Sequence, residues 1–457
     1  MNGISPLIQG RKAARPLPRA PKPAEDPSRP SESHSAGWKA AALLGLAGAG
    51  TVLTGCGPAT PPPGGQCTAQ TQSSQACKVS WDYLRNADGQ PLAPGTSSGG
   101  LASAVNSQGE FVVASNTAIL LGRADGSYRV LQDAKSQPVS PGTSEGGLGA
   151  SINNQGQFIV SSNTGILLGD FASGHWHYLQ DAQGRTIRPG TSEAGTAAAL
   201  NSKGQFVVGT NTGILIGDFH SWHYLQENGR NIQPGTSSGG VGAALNADGQ
   251  FVVGTNTGVV RGDVDDGSWG WVRDESGRKL TPGTSEGGIG VAINAAGSVV
   301  VGSNTGVYVG LRPDAPVRPL SDANGRRLAP GTSEGGIGVA LNDHGNFAVA
   351  SNTGIYAGHL LSSQVQEMRV RPGERLAPGT SASGMSVSLT ESGRVLVGSN
   401  TGIFEGDIVS LQLRSWQNTE GKVIQPGTSE GGIGTAVNAS GRAVVATNTA
   451  VMVGQLN

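Results

Sequence analysis

Apolar and polar residues alternate in short segments that recur along most of the chain. At residues 289–293, isoleucine and valine alternate with glycine and alanine, and two further β-branched segments follow at 299–303 and 307–310. Period-two alternation bounded by Asn, Gly, Thr and Pro is typical of short strands joined by tight turns. These segments predict three strands, and an outer aromatic segment, residues 176–179 in another unit, predicts a fourth.

This unit is repeated at nearly constant spacing. The stretch Pro-Gly-Thr-Ser starts at Pro94, Pro141, Pro189, Pro234, Pro282, Pro330, Pro378 and Pro426. Four short strands in about 48 residues match one blade of a β-propeller, whose innermost strand needs small side chains near the axis. A parallel β-helix is the alternative, but its rungs are usually shorter. We therefore predict an all-β, eight-bladed β-propeller of four-stranded repeats.

The first and last repeats complement each other. The unit that starts at Pro426 stops after its third strand, whereas residues 79–92 resemble an isolated fourth strand. The segment at Trp81 precedes Pro94 by 13 residues, as Trp176 precedes Pro189. We therefore assign residues 79–457 to the propeller and expect the N-terminal strand to pair with the last blade, which removes open sheet edges. The alternative is an unclosed arc.

Tryptophans recur at the expected start of the fourth strand. They are Trp81, Trp176, Trp222, Trp269 or Trp271, and Trp416. Such residues could stack on sugars or pack between the outer edges of neighbouring blades, and we favour packing.

The first 55 residues predict a signal segment. Residues 1–37 are rich in Pro and Ser, carry excess Lys and Arg and predict disorder, and residues 40–53 form an apolar run too short to span a bilayer. The sequence Leu-Thr-Gly-Cys at 53–56 resembles the lipobox of bacterial lipoproteins. That resemblance implies cleavage before Cys56 and lipid attachment to it, and hence a membrane anchor. A chance match in a low-complexity linker is the alternative.

Residues 56–78 would then form a tether between membrane and ring. The chain has three cysteines, all ahead of the ring. If Cys56 carries lipid, Cys67 and Cys77 can pair, because an exported compartment permits a disulfide.

Composition and charge exclude several classes of function. The formal net charge is −1 and no basic stripe is present, so we expect no nucleic-acid partner. The sequence has no metal-ligand Cys pair, phosphate loop or nucleophile elbow, and no cofactor is expected. The pairs His175/His177 and His220/His223 could share a metal, but we favour surface histidines at the aromatic outer edge and predict no metal site.

Two repeated polar positions are candidate ligand-binding residues, because both precede or follow turns on one face of the predicted ring. The first is the Asn of the Asn-Thr turn, at Asn163, Asn211, Asn256, Asn304 and Asn352 among others. The second is the Glu after Pro-Gly-Thr-Ser, at Glu145, Glu193, Glu286, Glu334 and Glu430. Turn chemistry alone is the alternative, since Pro, Gly, Asn and Thr all stabilise turns through local backbone geometry.

The core Ala-Leu-Asn-x-x-Gly-x-Phe-Val-Val-Gly-Thr-Asn-x-Gly at 244–258 is similar to propeller repeats of the RCC1 type and to regulator-type propeller repeats of bacterial sensor proteins. The resemblance covers residues 94–457 and implies a propeller. The Gly-Gln-Leu-Gly signature of RCC1 repeats is missing, so no functional residues are carried over.

Eight near-identical units are poorly suited to one asymmetric catalytic centre, but they can present repeated weak sites. We therefore expect an envelope-anchored, non-enzymatic binding or scaffolding module that recognises a glycan or an envelope protein. Gly57 after the lipobox Cys suggests the outer membrane if the organism is Gram-negative. The alternatives are a polysaccharide-acting hydrolase or lyase, with residues from the loops around Asp265 or His359, and a structural subunit of an envelope complex.

Overall fold

The computed structural model describes residues 81–95, 100–142, 147–190, 195–235, 240–283, 286–332, 334, 336–370, 376–379, 384–417, 421–424 and 432–456. The expected signal segment, the tether, Cys56, Cys67, Cys77, Glu145, Glu193 and Glu430 lie outside these residues. Throughout the described part the chain is all-β, and it contains no helix that could cross a membrane.

Thirty-four short strands make up this part of the chain. The strands are β1 (Trp81–Tyr83), β2 (Leu101–Val105), β3 (Glu110–Ser115), β4 (Ile119–Arg123), β5 (Tyr128–Val130), β6 (Gly149–Ile152), β7 (Gln157–Ser162), β8 (Gly165–Asp170), β9 (Trp176–Tyr178), β10 (Ala197–Leu200), β11 (Gln205–Gly209), β12 (Ile214–Asp218), β13 (Trp222–Tyr224), β14 (Gln226–Glu227), β15 (Arg230–Asn231), β16 (Gly242–Leu245), β17 (Gln250–Thr255), β18 (Gly258–Asp263), β19 (Trp269–Trp271), β20 (Gly290–Ile293), β21 (Val299–Ser303), β22 (Gly306–Gly310), β23 (Arg318–Pro319), β24 (Gly338–Leu341), β25 (Asn346–Ser351), β26 (Gly354–His359), β27 (Gln366–Glu367), β28 (Ser386–Leu389), β29 (Arg394–Ser399), β30 (Gly402–Asp407), β31 (Gln412–Ser415), β32 (Gly434–Val437), β33 (Arg442–Ala446) and β34 (Val451–Gln455).

The strands form eight antiparallel four-stranded sheets, which are the blades of a β-propeller, and β14 and β15 form a small extra hairpin. Blade 1 contains β2–β5, blade 2 β6–β9, blade 3 β10–β13, blade 4 β16–β19, blade 5 β20–β23, blade 6 β24–β27, blade 7 β28–β31 and blade 8 β32–β34 with β1. The first strand of each blade is innermost and the last is outermost. The predicted fold class is therefore confirmed.

The N-terminal strand closes the ring. In blade 8, β1 pairs with β34, so that Trp81 lies opposite Gly454 and Tyr83 opposite Met452. The Trp81 ring also stacks on Trp416 of blade 7, with centroids 5.2 Å apart. Innermost strands β2 and β32 are in contact, which joins the first blade to the last. The expected pairing of residues near Trp81 with the last blade is confirmed, and the open arc is excluded.

Small residues on the innermost strands are required by the close approach of neighbouring blades. A Cβ on Gly149 would lie 2.5 Å from the backbone nitrogen of Ala198 in the next blade. A Cβ on Gly290 would lie 2.6 Å from the carbonyl oxygen of Ile337. Real Cβ contacts are not that short, so glycine at these positions allows the inner strands to pack, as the sequence predicted.

The hydrophobic core is divided into clusters that lie between adjacent blades. Val112 of blade 1 and Phe158 of blade 2 share one such cluster, and Phe111 of blade 1 shares another with Val444 of blade 8. Five blades place a phenylalanine on their second strand directly opposite a glycine on their third. The pairs are Phe111–Gly122, Phe158–Gly169, Phe206–Gly217, Phe251–Gly262 and Phe347–Gly358.

Candidate functional site

The turn asparagines predicted as ligand contacts are buried. Five of them, Asn163, Asn211, Asn256, Asn304 and Asn352, have relative exposures of 4–6%. In blade 6, Asn352 Nδ2 donates to Thr332 Oγ1 at 2.7 Å, and Asn352 Oδ1 accepts from the Thr332 backbone N–H at 3.3 Å. Asn352 thus fastens the turn to the Pro-Gly-Thr-Ser loop of its own blade. This geometry favours turn chemistry, and a ligand role for these residues stays a prediction.

The threonine after seven of the turn asparagines has a similar structural role in the described part of the ring. Its hydroxyl donates to the carbonyl oxygen of the proline that begins the Pro-Gly-Thr-Ser loop. The pairs are Thr117–Pro94, Thr164–Pro141, Thr212–Pro189, Thr257–Pro234, Thr305–Pro282, Thr353–Pro330 and Thr401–Pro378. We call the side of the ring that carries these loops and turns the turn face. On it, Glu286 is half-buried and Glu334 is exposed, and a ligand role for these two residues stays a prediction.

The outer tryptophans pack between blades. Trp176 contacts Tyr178 edge to face and donates from Nε1 to the carbonyl oxygen of Gln132 in the preceding blade, at 3.0 Å. The sequence was wrong about Trp416, which follows β31 and is only 3% exposed. It occupies the position that Leu179 has in blade 2, because the backbone N–H of each donates to the carbonyl oxygen of the first apolar residue in the third strand of its blade, Ile403 and Ile166 respectively. Its ring is nevertheless buried between blades 7 and 8, where it stacks on Trp81.

The histidine pairs are exposed at the outer edge. His177 and His223 occupy the middle positions of β9 and β13. Among the residues that the structure describes, no three His, Cys, Asp or Glu side chains are grouped closely enough to hold a metal ion. The variable loops suggested for an enzyme are also separate: Asp265 pairs with Lys203 of blade 3 at 3.3 Å, and His359 contacts His344 within blade 6.

A cleft between blades 4 and 5 is the candidate site. Its volume is about 660 Å³, within the range of ligand pockets. Its walls come from three segments: β18 with its following loop, the outer strand β19 with the turn after it, and residues 313–316 of blade 5. The lining includes Arg261, Gly270, Arg273, Asp314 and the two tryptophans Trp269 and Trp271. Unlike the turn face, this blade 4–5 cleft contains Arg261 and Gly270 at positions where blades 1 and 5 have an apolar residue and an arginine.

Arg261 forms the inner boundary of the cleft. It is only 8% exposed, and its two terminal nitrogens donate to the carbonyl oxygens of Arg312, at 2.7 Å, and Gly297, both in blade 5. Burial lowers the pKa of Arg261 to about 10, and attraction to Asp314 opposes this effect. The guanidinium is therefore still charged at neutral pH. One end of the cleft is bounded by a bond from the Val317 N–H to the Arg273 carbonyl oxygen, at 2.9 Å.

Carboxylates dominate the charge of the cleft. Five of them line the cleft together with two guanidiniums, and Arg278 pairs with Asp274 at 3.5 Å, which leaves an excess of two negative charges; the carboxylates are Asp263, Asp266, Asp274, Glu275 and Asp314. A hydrogen bond from the Ser268 side chain lowers the pKa of Asp266, and one from the Ser276 side chain lowers the pKa of Asp274. These two groups are ionised at neutral pH.

The tryptophan rings pack towards blade 3. Trp269 and Trp271 contact each other edge to face and join the core cluster shared by blades 3 and 4. Lys279 Nζ lies 3.2 Å from the centroid of the Trp271 ring, and Trp271 Nε1 donates to Glu227 Oε1 at 3.4 Å. Burial lowers the pKa of Lys279, and Glu227 opposes that shift. The ring of Trp271 is thus already engaged by a cation.

Comparison with known proteins supports the fold. No protein-family model and no curated protein matches the chain. Among solved structures, the computationally designed Ika8 protein is 16% identical, with a TM-score of 0.51 over 80% of this chain and all of the other. BamB from Moraxella catarrhalis is 14% identical, with a TM-score of 0.47 over 83% of this chain and 97% of the other.

Virginiamycin B lyase from Staphylococcus aureus is 10% identical, with a TM-score of 0.46 over 83% of this chain and 99% of the other. At 16% identity the similarity to the Ika8 protein shows the fold alone. The RCC1-type resemblance stays a resemblance of sequence pattern.

Proposed function

We propose that this chain is a non-enzymatic binding or scaffolding module, anchored to the bacterial cell envelope, that recognises a protein or a glycan. One observation carries the proposal. The repeated polar residues tie turns to loops within the ring, as Asn352 does with Thr332. The blade 4–5 cleft instead brings together Arg261, Gly270 and Asp314. A ring with an irregular concave site is suited to presenting that site to a partner.

Two carboxylates of the cleft, Asp266 and Asp274, are better suited to binding a ligand than to acid catalysis. Glycoside hydrolases generally need one carboxylic acid with a raised pKa to protonate the leaving group. Asp266 and Asp274 have lowered pKa values because serine side chains donate hydrogen bonds to them. They are therefore suited to attracting a ligand rather than to donating a proton.

The envelope anchor is proposed from the sequence. The apolar run at 40–53 followed by Leu-Thr-Gly-Cys supports lipid attachment at Cys56, with the outer membrane as the destination in a Gram-negative cell. Intact mass of the native protein and fractionation of Cys56→Ser test it. Lipid on Cys56 together with release of the variant from the membrane would support the anchor, and an unlipidated native protein would contradict it.

The binding role is tested with full-length protein in detergent, on a glycan array and in affinity capture from envelope extracts, with each hit confirmed by a direct titration. We expect saturable binding that survives Glu286→Gln and Glu334→Gln, since the turn face is not the proposed site. Turnover of a polysaccharide that a single substitution such as Asp314→Asn abolishes would contradict a non-enzymatic role.

A further inference from the structure

Arginines fill the gaps between the outer edges of two pairs of blades. Arg129 of blade 1 donates to the carbonyl oxygen of Phe171 in blade 2. Arg318 of blade 5 donates to the carbonyl oxygens of Leu360 and Ser362 in blade 6, both at 2.8 Å. Both arginines lie on the outermost strand and point across to the loop that follows the third strand of the next blade. The inter-blade gap is thus a place where this fold accepts a guanidinium against backbone carbonyls.

In blade 4 the corresponding arginine, Arg261, lies on the third strand, β18, and not on the outermost strand, β19. The cross-strand pairs are Leu121 with Arg129 in blade 1 and Val309 with Arg318 in blade 5, but Arg261 with Gly270 in blade 4. Arg261 still donates to blade 5, at the Arg312 carbonyl oxygen. The contact between blades is therefore retained from the inner position, and the space that the outer arginine would fill is left open.

The backbone does not require glycine at position 270. Gly270 is not among the glycines with positive φ, and a Cβ built on it meets no atom within 4 Å. A larger residue, such as the histidine at the same place in β9 and β13, would be accommodated. The opening of the cleft therefore follows from the missing side chain and not from a turn.

We propose that the blade 4–5 cleft binds an arginine or lysine side chain of a basic protein segment. This rests on the proposed binding function and names the chemistry of its ligand. The space left by Gly270 corresponds to the one that Arg129 fills in blade 1, and the carboxylates of the lining outnumber the arginines that line the cleft or pair with them by two. Pro313, Ala315 and Pro316 offer apolar surface to the stem of a long cationic side chain.

A sugar fits this site less well, because the two tryptophans do not supply a stacking platform. Trp269 packs in the cluster between blades 3 and 4, and Trp271 is engaged by Lys279 and Glu227. Charge and shape therefore both favour a cation over a neutral saccharide.

The test is a calorimetric titration of full-length protein in detergent with a capped heptapeptide of alternating glycine and arginine. The same peptide with glutamate in place of arginine is the probe for charge. Gly270→Arg fills the cleft as Arg129 does in blade 1, and Gly270→His fills it with the residue of blades 2 and 3. His177→Arg is the matched control, since it makes the same charge change at the same strand position of blade 2.

We expect saturable binding of the arginine peptide that weakens as salt is raised, and no binding of the glutamate peptide. Gly270→Arg and Gly270→His should each lower affinity at least tenfold, with His177→Arg within twofold of the native protein. No saturable binding of the arginine peptide, or equal binding by Gly270→Arg, would overturn the proposal. Binding of a neutral oligosaccharide that Gly270→Arg abolishes would also overturn it, while leaving the binding function intact.

Discussion

Asn438 of the last blade donates a hydrogen bond from its side-chain amide to the backbone carbonyl oxygen of Asn106 in the first blade, at 2.9 Å. The same bond joins successive blades elsewhere. The donors and acceptors are Asn106–Asn153, Asn153–Asn201, Asn201–Asn246 and Asn246–Asn294, and Asn342 donates to Thr390 in the same way. Bonds of this kind join six pairs of neighbouring blades in the described part of the ring, and we call the asparagines that donate them the asparagine belt. Side chains that repeat with the blades therefore hold the ring together.

Removing one member of this belt should destabilise the protein. The Asn153 amide donates to the Asn201 carbonyl oxygen at 3.1 Å, and its oxygen accepts from the backbone N–H groups of Gln155 and Gln157. Because Asn153 is 3% exposed, Asn153→Ala leaves buried polar groups without partners. We expect a loss of about 2 kcal/mol, measured as a shift in the urea unfolding midpoint.

Gln155→Ala is the control for that experiment, since the Gln155 side chain is exposed in the same turn. Its midpoint should match that of the native protein. Equal midpoints for Asn153→Ala and Gln155→Ala would show that the belt contributes nothing measurable.

Ring closure depends on Trp81. Its ring stacks on Trp416 and lies edge to face with Tyr83 at 5.5 Å. We expect Trp81→Ala to lower the free energy of unfolding by about 2–3 kcal/mol, because aromatic contact and buried area are lost together. Thermal unfolding followed by tryptophan fluorescence measures this. Asp82→Ala, on the exposed side of the same strand, should leave stability nearly unchanged; a similar loss in both variants would argue against aromatic closure.

The phenylalanine–glycine pairs predict a graded response to added methyl groups. At Gly169, a Cβ would have three ring carbons of Phe158 within 2.9 Å, whereas at Gly310 its nearest neighbour is Val299 Cγ2 at 3.1 Å. Gly169→Ala should therefore cost about 2–3 kcal/mol, and Gly310→Ala about 1 kcal/mol or less. Urea unfolding of the two variants side by side decides it, and the reverse order would contradict the packing described.

The loss of stability at acid pH should depend in part on carboxylates in the turns that follow the outermost strands. The backbone N–H of Arg326 donates to Asp322, which lowers the pKa of this carboxyl. A lowered pKa stabilises the folded state above the unfolded pKa of about 3.9, and this stabilisation is lost as pH falls through the folded value. Asp322→Asn should thus make stability less sensitive to pH below about 4.

The turn itself should survive that change. Blade 8 already has Asn86 at the same position, where its side-chain oxygen accepts from the backbone N–H groups of Asp88 and Gln90. Stability of Asp322→Asn at pH 7 is therefore expected to stay close to that of the native protein. A pH profile below 4 that superimposes on the native one would contradict the assignment.

Much of the fold could be predicted because its signals are local. Period-two alternation and turn residues within one unit define a blade, and the fourth-strand pattern at Trp81 defines the closure. The asparagine belt could not be predicted in this way, because each amide bonds a residue one repeat away. Nothing in Asn153 or its neighbours indicates that its partner is Asn201.

The sequence named the loop around Asp265, part of which lines the cleft, but the cleft itself could not be predicted, for a related reason. Gly270 and Arg261 are nine residues apart, and the residue type at each of these two strand positions differs between the repeats. Only the register that sets them opposite each other shows that the arginine has moved inward and left a gap. Trp416 was misplaced because recurrence of a residue type does not fix its position within the strand.

The central claim is that recognition lies in the blade 4–5 cleft and not on the turn face. Hydrogen–deuterium exchange of full-length protein, with and without the arginine heptapeptide, tests it most directly. We predict protection at residues 261–277 and 311–317, and loss of that protection in Gly270→Arg. Protection confined to the Asn-Thr turns, such as residues 352–354, or no protection at saturating peptide, would contradict the account.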